Sequence, residues 1–265
     1  MKVNEYYRPT TLEEAYHKLA EHPQNAFLAG GLWLKKTAAP VHALIDLEPL
    51  HLCGVAETEG EIVIGAMTSL RELEKHPAIK AIGTGLLAKA IGSVMGVGLR
   101  RLATIGGSVA GKYPFSDIIT ALLALDATLD FYPTRTVTLA DFLSEKGKPK
   151  DILTYIHIQK KTVNGYFHKV SNTPLDFAIL NVAITYGEGC YSIAIGSRPG
   201  GAIKPKETIR YLNDLKHIDE ETLNHAADML IGEVGMATTN AASGEYRQAL
   251  AKAYLKRGLV EVTGK

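Results

Sequence analysis

The chain has only two cysteines in 265 residues, Cys53 and Cys190. They stand far apart, with no Cys-x-x-Cys and no Cys/His cluster, which excludes a disulfide framework and a cysteine-ligated metal site. Any iron–sulfur cluster that serves this protein must sit in another chain. Excess charge is also missing: 29 Lys and Arg against 28 Asp and Glu leave a formal net charge of +1. No global field therefore draws nucleic acid or an anionic membrane. No apolar run reaches the roughly 20 residues that span a bilayer, and the start, Met1 to His22, lacks the apolar stretch of a secretory leader. The expected location is the cytoplasm. Fixed-period repeats and low-complexity tracts are absent too, which excludes solenoids and disordered arrays.

What is present is apolar content, 46% of the chain, enough for a substantial core in one large domain or two ordinary ones. Thr11-Leu12-Glu13-Glu14 has capping-box spacing, and Leu12, Ala15, Tyr16, Leu19 and Ala20 follow on one helical face. Phe27-Leu28-Ala29 reads as a short strand running into Gly30-Gly31. Glu61 to Ala66 reads as another, ahead of a second capping box at Ser69-Leu70-Arg71-Glu72. A long helical tract is expected from about Ala78 to Val94, then a strand entering a glycine turn over Ala103 to Gly111, then a helix from near Phe115. After the polar, breaker-rich stretch 146–150, strands are expected at 152–158, 165–170, 177–186 and 191–195, with helices near 205–212, 219–231 and 243–258. The fold class is α+β, with domains at 1–160, itself in two parts of about 1–55 and 56–160, and at 161–265.

The informative features are two double glycines at the ends of apolar segments, Leu28-Ala29-Gly30-Gly31-Leu32 and Thr104-Ile105-Gly106-Gly107-Ser108. Without a Cβ, consecutive backbone N–H groups converge and a ligand approaches the main chain closely, which suits the oxygens of a pyrophosphate. Two such turns could cradle one dinucleotide. Gly106 to Lys112 also has the glycine and lysine spacing of a P-loop, but Tyr113 stands where a small hydroxyl should hold Mg²⁺. Ser108 lacks the Gly-x-Ser-x-Gly frame of a nucleophile elbow. Gly96-Val97-Gly98 starts like a dinucleotide fingerprint, yet Arg101 replaces its third glycine, which argues against a Rossmann fold. Histidines such as His157 and His168 show no paired ligand spacing and read as structural or surface groups. Trp33 is balanced between packing and a ligand-side role, and the Arg100-Arg101 pair leans toward a phosphate.

These turns sit in a longer pattern. Tyr7-Arg8-Pro9-Thr10-Thr11-Leu12-Glu13-Glu14-Ala15, Leu28-Ala29-Gly30-Gly31, Ile64-Gly65-Ala66-Met67-Thr68, Ala103-Thr104-Ile105-Gly106-Gly107-Ser108, Asp117 followed by Ala121-Leu122-Leu123-Ala124-Leu125-Asp126-Ala127, and Ala242-Ser243-Gly244-Glu245-Tyr246-Arg247 occur in this order. In these segments the chain resembles, nearly end to end, the FAD-binding subunits and domains of the xanthine dehydrogenase and carbon monoxide dehydrogenase family of molybdenum hydroxylases. The resemblance implies a two-part FAD-binding domain of the PCMH type followed by a smaller C-terminal α+β domain. It implies non-covalent FAD held by Phe27, Leu28, Ala29, Gly30, Gly31, Leu32, Trp33 and Leu34 and by Thr104, Ile105, Gly106, Gly107 and Ser108. Asp117, Leu153 and Lys169 complete that set.

The same resemblance implies an oxidoreductase subunit that relays electrons, names no catalytic side chain, and has two partners: a [2Fe–2S] small subunit and a large subunit carrying the molybdenum cofactor. Electrons would pass to NAD or another acceptor; neither nucleic acid nor a membrane is an expected partner. Leu32-Trp33 replaces the family's usual Thr or Ser and small or acidic residue, Ser108 stands where Asn is usual, and Arg101 where Asn usually follows Arg100. These departures leave open a second function, a scaffold subunit that has lost its flavin, beside a third, P-loop-like nucleotide binding.

Overall fold

In the computed structural model, which describes residues 1–265 except Thr37, 148–150, Lys216 and Lys265, strand β1 (Val3–Tyr7) alternates half-buried and exposed side chains. That is the period of a strand with one covered face. Helix α1 (Leu12–Glu21) begins where expected: the Thr11 hydroxyl accepts from the Glu14 amide, and the Glu14 carboxylate accepts from the amide of Thr10. β2 (Ala26–Leu28) and β3 (Val41–Asp46) complete a parallel sheet in the order β1-β3-β2. α1 carries the chain from β1 across to β2, the two strands that flank β3. Its Ala15 packs into a small core with Ile45, Leu47, Leu52 and Ile152.

β4 (Val55–Glu57) and β5 (Glu61–Gly65) lead into α2 (Leu70–Lys75), α3 (Pro77–Ala81) and α4 (Leu86–Gly92). The single helix expected over 78–94 is therefore interrupted. Gly83, Thr84 and Gly85 take positive φ angles of 52°, 49° and 81°. A tertiary contact explains the break: the Thr84 hydroxyl donates to the Gly165 carbonyl at 2.8 Å and accepts from the Gly165 amide at 2.9 Å. The backbones are so close that a Cβ at Gly165 would lie 2.1 Å from the Gly83 carbonyl oxygen.

α5 (Val97–Leu102) is followed by α6 (Ile105–Ala110), where a strand and turn were expected. Thr104 caps α6, and Ile105 and Val109, four residues apart on one face, are both fully buried. Helical spacing of two buried side chains and a threonine cap outweigh the β-preference of the Thr-Ile pair. α7 (Asp117–Ala124) is buried along its whole length. β6 (Thr128–Tyr132), β7 (Arg135–Thr138), α8 (Leu139–Ser144) and β8 (Ile152–Gln159) finish this half, whose antiparallel sheet has the order β4-β5-β8-β6-β7. Of the breaker stretch at 146–150, positions 148–150 lie outside the described residues.

The C-terminal half is an antiparallel sheet of β9 (Asn164–Val170), β10 (Leu180–Gly187) and β11 (Cys190–Gly196), ordered β11-β10-β9, with α9 (Lys206–Asp214), α10 (Glu220–Glu233) and α11 (Gly244–Thr263) against one face. Its alternation divides the residues. Val182, Ile184, Ile193 and Ile195 enter the core under α10 and α11, whereas Ala183 and Ala194 join the core of the first half, where α7 lies. The strand expected to start at Phe177 starts at Leu180 instead, leaving Phe177 in a loop and exposed. Among the described residues no helix is long and apolar enough to cross a membrane.

Candidate functional site

The first glycine turn leaves the sheet just after Leu28, whose carbonyl accepts from the Leu47 amide at 3.1 Å. Gly31 has φ +67°, a left-handed conformation that favours glycine. A Cβ on Gly30 would lie 2.0 Å from the Leu102 carbonyl oxygen, so this glycine is what lets the turn lie on the α5–α6 junction. The amides of Gly30, Gly31, Leu32 and Trp33 donate to no acceptor among the described residues. Phe27 and Leu28 are half-buried strand residues, and Leu34 opens a short 3-10 turn.

The second glycine segment lies beside the first, with Gly107 exposed and its open side facing Ala29. Four of its five amides, however, are spent. Ile105 donates to the Thr68 carbonyl at 3.0 Å, Gly106 to the Ala66 carbonyl at 2.8 Å and Ser108 to the Thr104 carbonyl at 3.1 Å, and Gly107 donates to the Thr104 hydroxyl at 3.1 Å. The idea of converging free donors at both turns is thus corrected: among the described residues the first turn offers a row of them and the second does not. Gly106 is required for packing, since a Cβ there would lie 2.6 Å from the Ala66 Cβ. Ala66 in turn donates its amide to Thr154 of β8 at 2.9 Å. The neighbouring Leu153 is buried in the first core, paired in register with Phe131.

Asp117, the first residue of α7, is buried beside the buried side chain of Lys169 from β9, with Nζ 3.5 Å from Oδ2. Asp117 Oδ1 accepts from Asn181 Nδ2 at 2.6 Å, Oδ2 accepts from the Ser93 hydroxyl at 3.1 Å, and Lys169 donates to the Ser93 carbonyl at 2.9 Å. Burial pushes the Asp117 carboxyl above its ordinary value, against the opposing pull of Lys169, Asn181 and Ser93.

Trp33 meets three rings from distant segments: Tyr113 at 5.0 Å and Phe115 at 5.5 Å, from the link between α6 and α7, and Phe177 at 5.9 Å, from the C-terminal half. Phe115 and Phe177 are themselves 4.2 Å apart. Trp33 is 39% exposed and Phe177 47%, so the cluster lies at the surface beside the free amides and not in the core. Sequence reasoning missed Tyr113, Phe115 and Phe177. For Tyr113 and Phe115 the available signal was the Tyr-Pro-Phe run shortly after the second glycine segment.

Other candidates are otherwise engaged. Lys112, the lysine of the P-loop-like spacing, donates to the carbonyls of Phe142 at 2.5 Å and Glu145 at 3.0 Å, at the end of α8. The Ser108 hydroxyl donates back to the Thr104 carbonyl. Arg100, which leaned toward a phosphate, is buried, chelates the Glu74 carboxylate and donates to the carbonyls of Val94 and Met95. His157 lies between Glu61 and Asp130, and His168 stacks on Tyr254. No group of His, Cys, Asp and Glu among the described residues could hold a metal ion. Free donors at Gly30 to Trp33, beside two glycines that let a ligand approach, fit the oxygens of a dinucleotide.

The comparisons with known proteins point the same way. Residues 1–160 match the model of the FAD binding domain in molybdopterin dehydrogenase, and residues 165–262 that of the CO dehydrogenase flavoprotein C-terminal domain. Aldehyde oxidase 2 of Cavia porcellus is 28% identical over 96% of this chain and 21% of its own length. The nicotinate dehydrogenase FAD-subunit of Eubacterium barkeri is 32% identical over 56% of this chain and 53% of its own. The chain thus spans about a fifth of the one and about half of the other. A solved carbon monoxide dehydrogenase chain from Hydrogenophaga pseudoflava superposes with a TM-score of 0.89 at 25% identity, covering 98% of this chain and 97% of that one. Matched in both halves, the chain belongs to the FAD-binding flavoprotein family of the molybdopterin dehydrogenases, the xanthine and carbon monoxide dehydrogenase type of oxidoreductase.

Proposed function

We propose that this chain holds FAD non-covalently and relays electrons from iron–sulfur clusters of a [2Fe–2S] subunit to NAD or another acceptor, in an assembly whose large subunit carries the molybdenum cofactor. The observation that carries the reading is the row of unspent amides at Gly30, Gly31, Leu32 and Trp33. These residues are half-buried or, at Trp33, exposed, so their donors are open to an incoming acceptor, and a pyrophosphate would supply one. Bound FAD would bring the one- and two-electron redox chemistry that no side chain here offers.

The chain's own residues then bind, orient and shield. Gly30 to Trp33 donate to the phosphates, flanked by Phe27, Leu28, Ala29 and Leu34. Thr104 to Ser108 shape the floor, with Gly107 leaving room where a side chain would block approach. Asp117 accepts from hydroxyl groups of the cofactor, Lys169 supplies a positive charge beside it, and Leu153 closes the apolar side. The aromatic cluster excludes water at the rim. The domain boundary near residue 160 and a cytoplasmic location belong to the same reading.

Heat denaturation of protein co-expressed with its partners tests it. FAD should appear in the supernatant. A colourless preparation that releases no flavin would favour the scaffold reading, in which Leu32 and Trp33 fill the place of the cofactor.

A further inference from the structure

Asn181 is a fully buried amide near the start of strand β10, a position where an apolar side chain would cost less. It is held by specific partners on every side. Its Nδ2 donates to Asp117 Oδ1 at 2.6 Å and to the Ser197 hydroxyl at 3.4 Å, and its Oδ1 accepts from the Thr120 hydroxyl at 2.8 Å. Room for it is made by glycine: a Cβ on Gly196, its register partner on β11, would lie 2.2 Å from Asn181 Oδ1 and 2.1 Å from Thr120 Oγ1. Its register partner on the other side, β9, is Lys169. Directly opposed residues on adjacent antiparallel strands point to the same face. Two paired positions of the C-terminal sheet therefore reach one carboxylate of the first half.

We propose that Asn181 is a positioning residue for the cofactor site: its amide fixes the rotamer of the Asp117 carboxylate and so aims its remaining lone pairs, although Asn181 itself does not touch the cofactor. A carboxylate accepts about four hydrogen bonds, so the contacts from Asn181, Ser93 and Lys169 orient it without exhausting it. The short contact from Asn181 is charge-assisted, the kind that dominates in a dry site. In this arrangement the C-terminal sheet controls affinity for a ligand whose phosphates lie on the first half. The inference rests on the reading that Asp117 faces FAD.

The test is a double-mutant cycle in the full-length chain, with Kd for FAD measured by titrating apo-protein and following flavin fluorescence. Asp117→Ala should weaken binding by roughly 10–150-fold, the loss of one hydrogen bond to a charged group. Asn181→Leu should weaken it by about tenfold on the same basis, and the double variant should bind no worse than Asp117→Ala, because nothing remains to orient. A residue that only supports the fold would weaken binding in both backgrounds by the same factor, and that result overturns the proposal, as does an unchanged Kd for Asn181→Leu. If Asn181→Leu does not fold, Thr120→Val, which removes the hydroxyl on Asn181 Oδ1, takes its place in the cycle: weaker binding only while Asp117 is present supports the proposal, and an equal loss in both backgrounds or an unchanged Kd overturns it. An unchanged Kd for Asp117→Ala would instead overturn the underlying reading, and the positioning role with it.

Discussion

Gly30 rests on the carbonyl of Leu102 with no room for a methyl group, since a Cβ would lie 2.0 Å from the oxygen and 3.2 Å from the Ala103 Cα. Two glycine segments more than seventy residues apart are thereby locked edge to edge. Gly30→Ala should force the first turn off the α5–α6 junction, costing about 1–3 kcal/mol of stability as an overpacked contact. It should also scatter the donor row at Gly30 to Trp33. Thermal melting and FAD titration of the same variant check both, and an unchanged affinity with normal stability would mean that the junction does not shape the site.

Glu74 of α2 holds the loop before α5 through Arg100, which bonds the Val94 and Met95 carbonyls, and also pairs with Arg71 on its own helix. Burial pushes its carboxyl up, but the bonds from Arg100 and Arg71 outweigh this and leave it below the ordinary value. A carboxyl depressed in the folded state contributes stability that is present above its unfolded value and lost as pH falls through the folded one. Glu74→Gln should therefore destabilise the chain by about 1.5–3 kcal/mol at neutral pH. The gap from wild type should close as pH drops below the ordinary carboxylate range. A gap independent of pH, followed by urea unfolding across acid to neutral pH, would rule the charge out as the cause.

Trp33 is the one tryptophan of the chain, which makes it a native reporter for the aromatic cluster beside the free amides. Addition of FAD to apo-protein should quench its emission in step with flavin binding. Emission that stays constant while FAD binds would remove Trp33 from the cofactor's neighbourhood and return it to packing on Tyr113, Phe115 and Phe177.

The chain alone should not reduce its flavin at the expense of an organic substrate. A usual [2Fe–2S] cluster needs four thiolates, whereas Cys53 and Cys190 are both exposed and unpaired. Anaerobic mixing with candidate substrates should leave the flavin absorbance unchanged until partner subunits are added. Bleaching by the chain alone, with no partner detectable by mass spectrometry, would defeat the relay assignment.

Lys112→Met should lower stability by about 1 kcal/mol through loss of its bonds to the Phe142 and Glu145 carbonyls, and leave FAD affinity unchanged. Loss of a Mg²⁺-dependent phosphate release in this variant would revive the P-loop reading.

What the sequence determined by itself was local. The threonine cap and apolar stripe of α1, the strands at β5, β8 and β11, and the order of the glycine segments were legible because each is written within a few neighbouring residues. Resemblance in six segments carried the family. Tertiary structure alone decided the rest. Helix 78–94 is broken because Gly165, some eighty positions away, presses on Gly83 and bonds Thr84. In the second glycine segment the donors of Ile105 and Gly106 are used because Thr68 and Ala66 supply acceptors from another part of the fold. Arg100 is turned inward by Glu74, and Asp117 on α7 is met by Asn181 and Lys169 from the C-terminal sheet. A backbone amide carries no sequence mark of whether its acceptor is a distant carbonyl or a ligand; only packing settles which donors are left over.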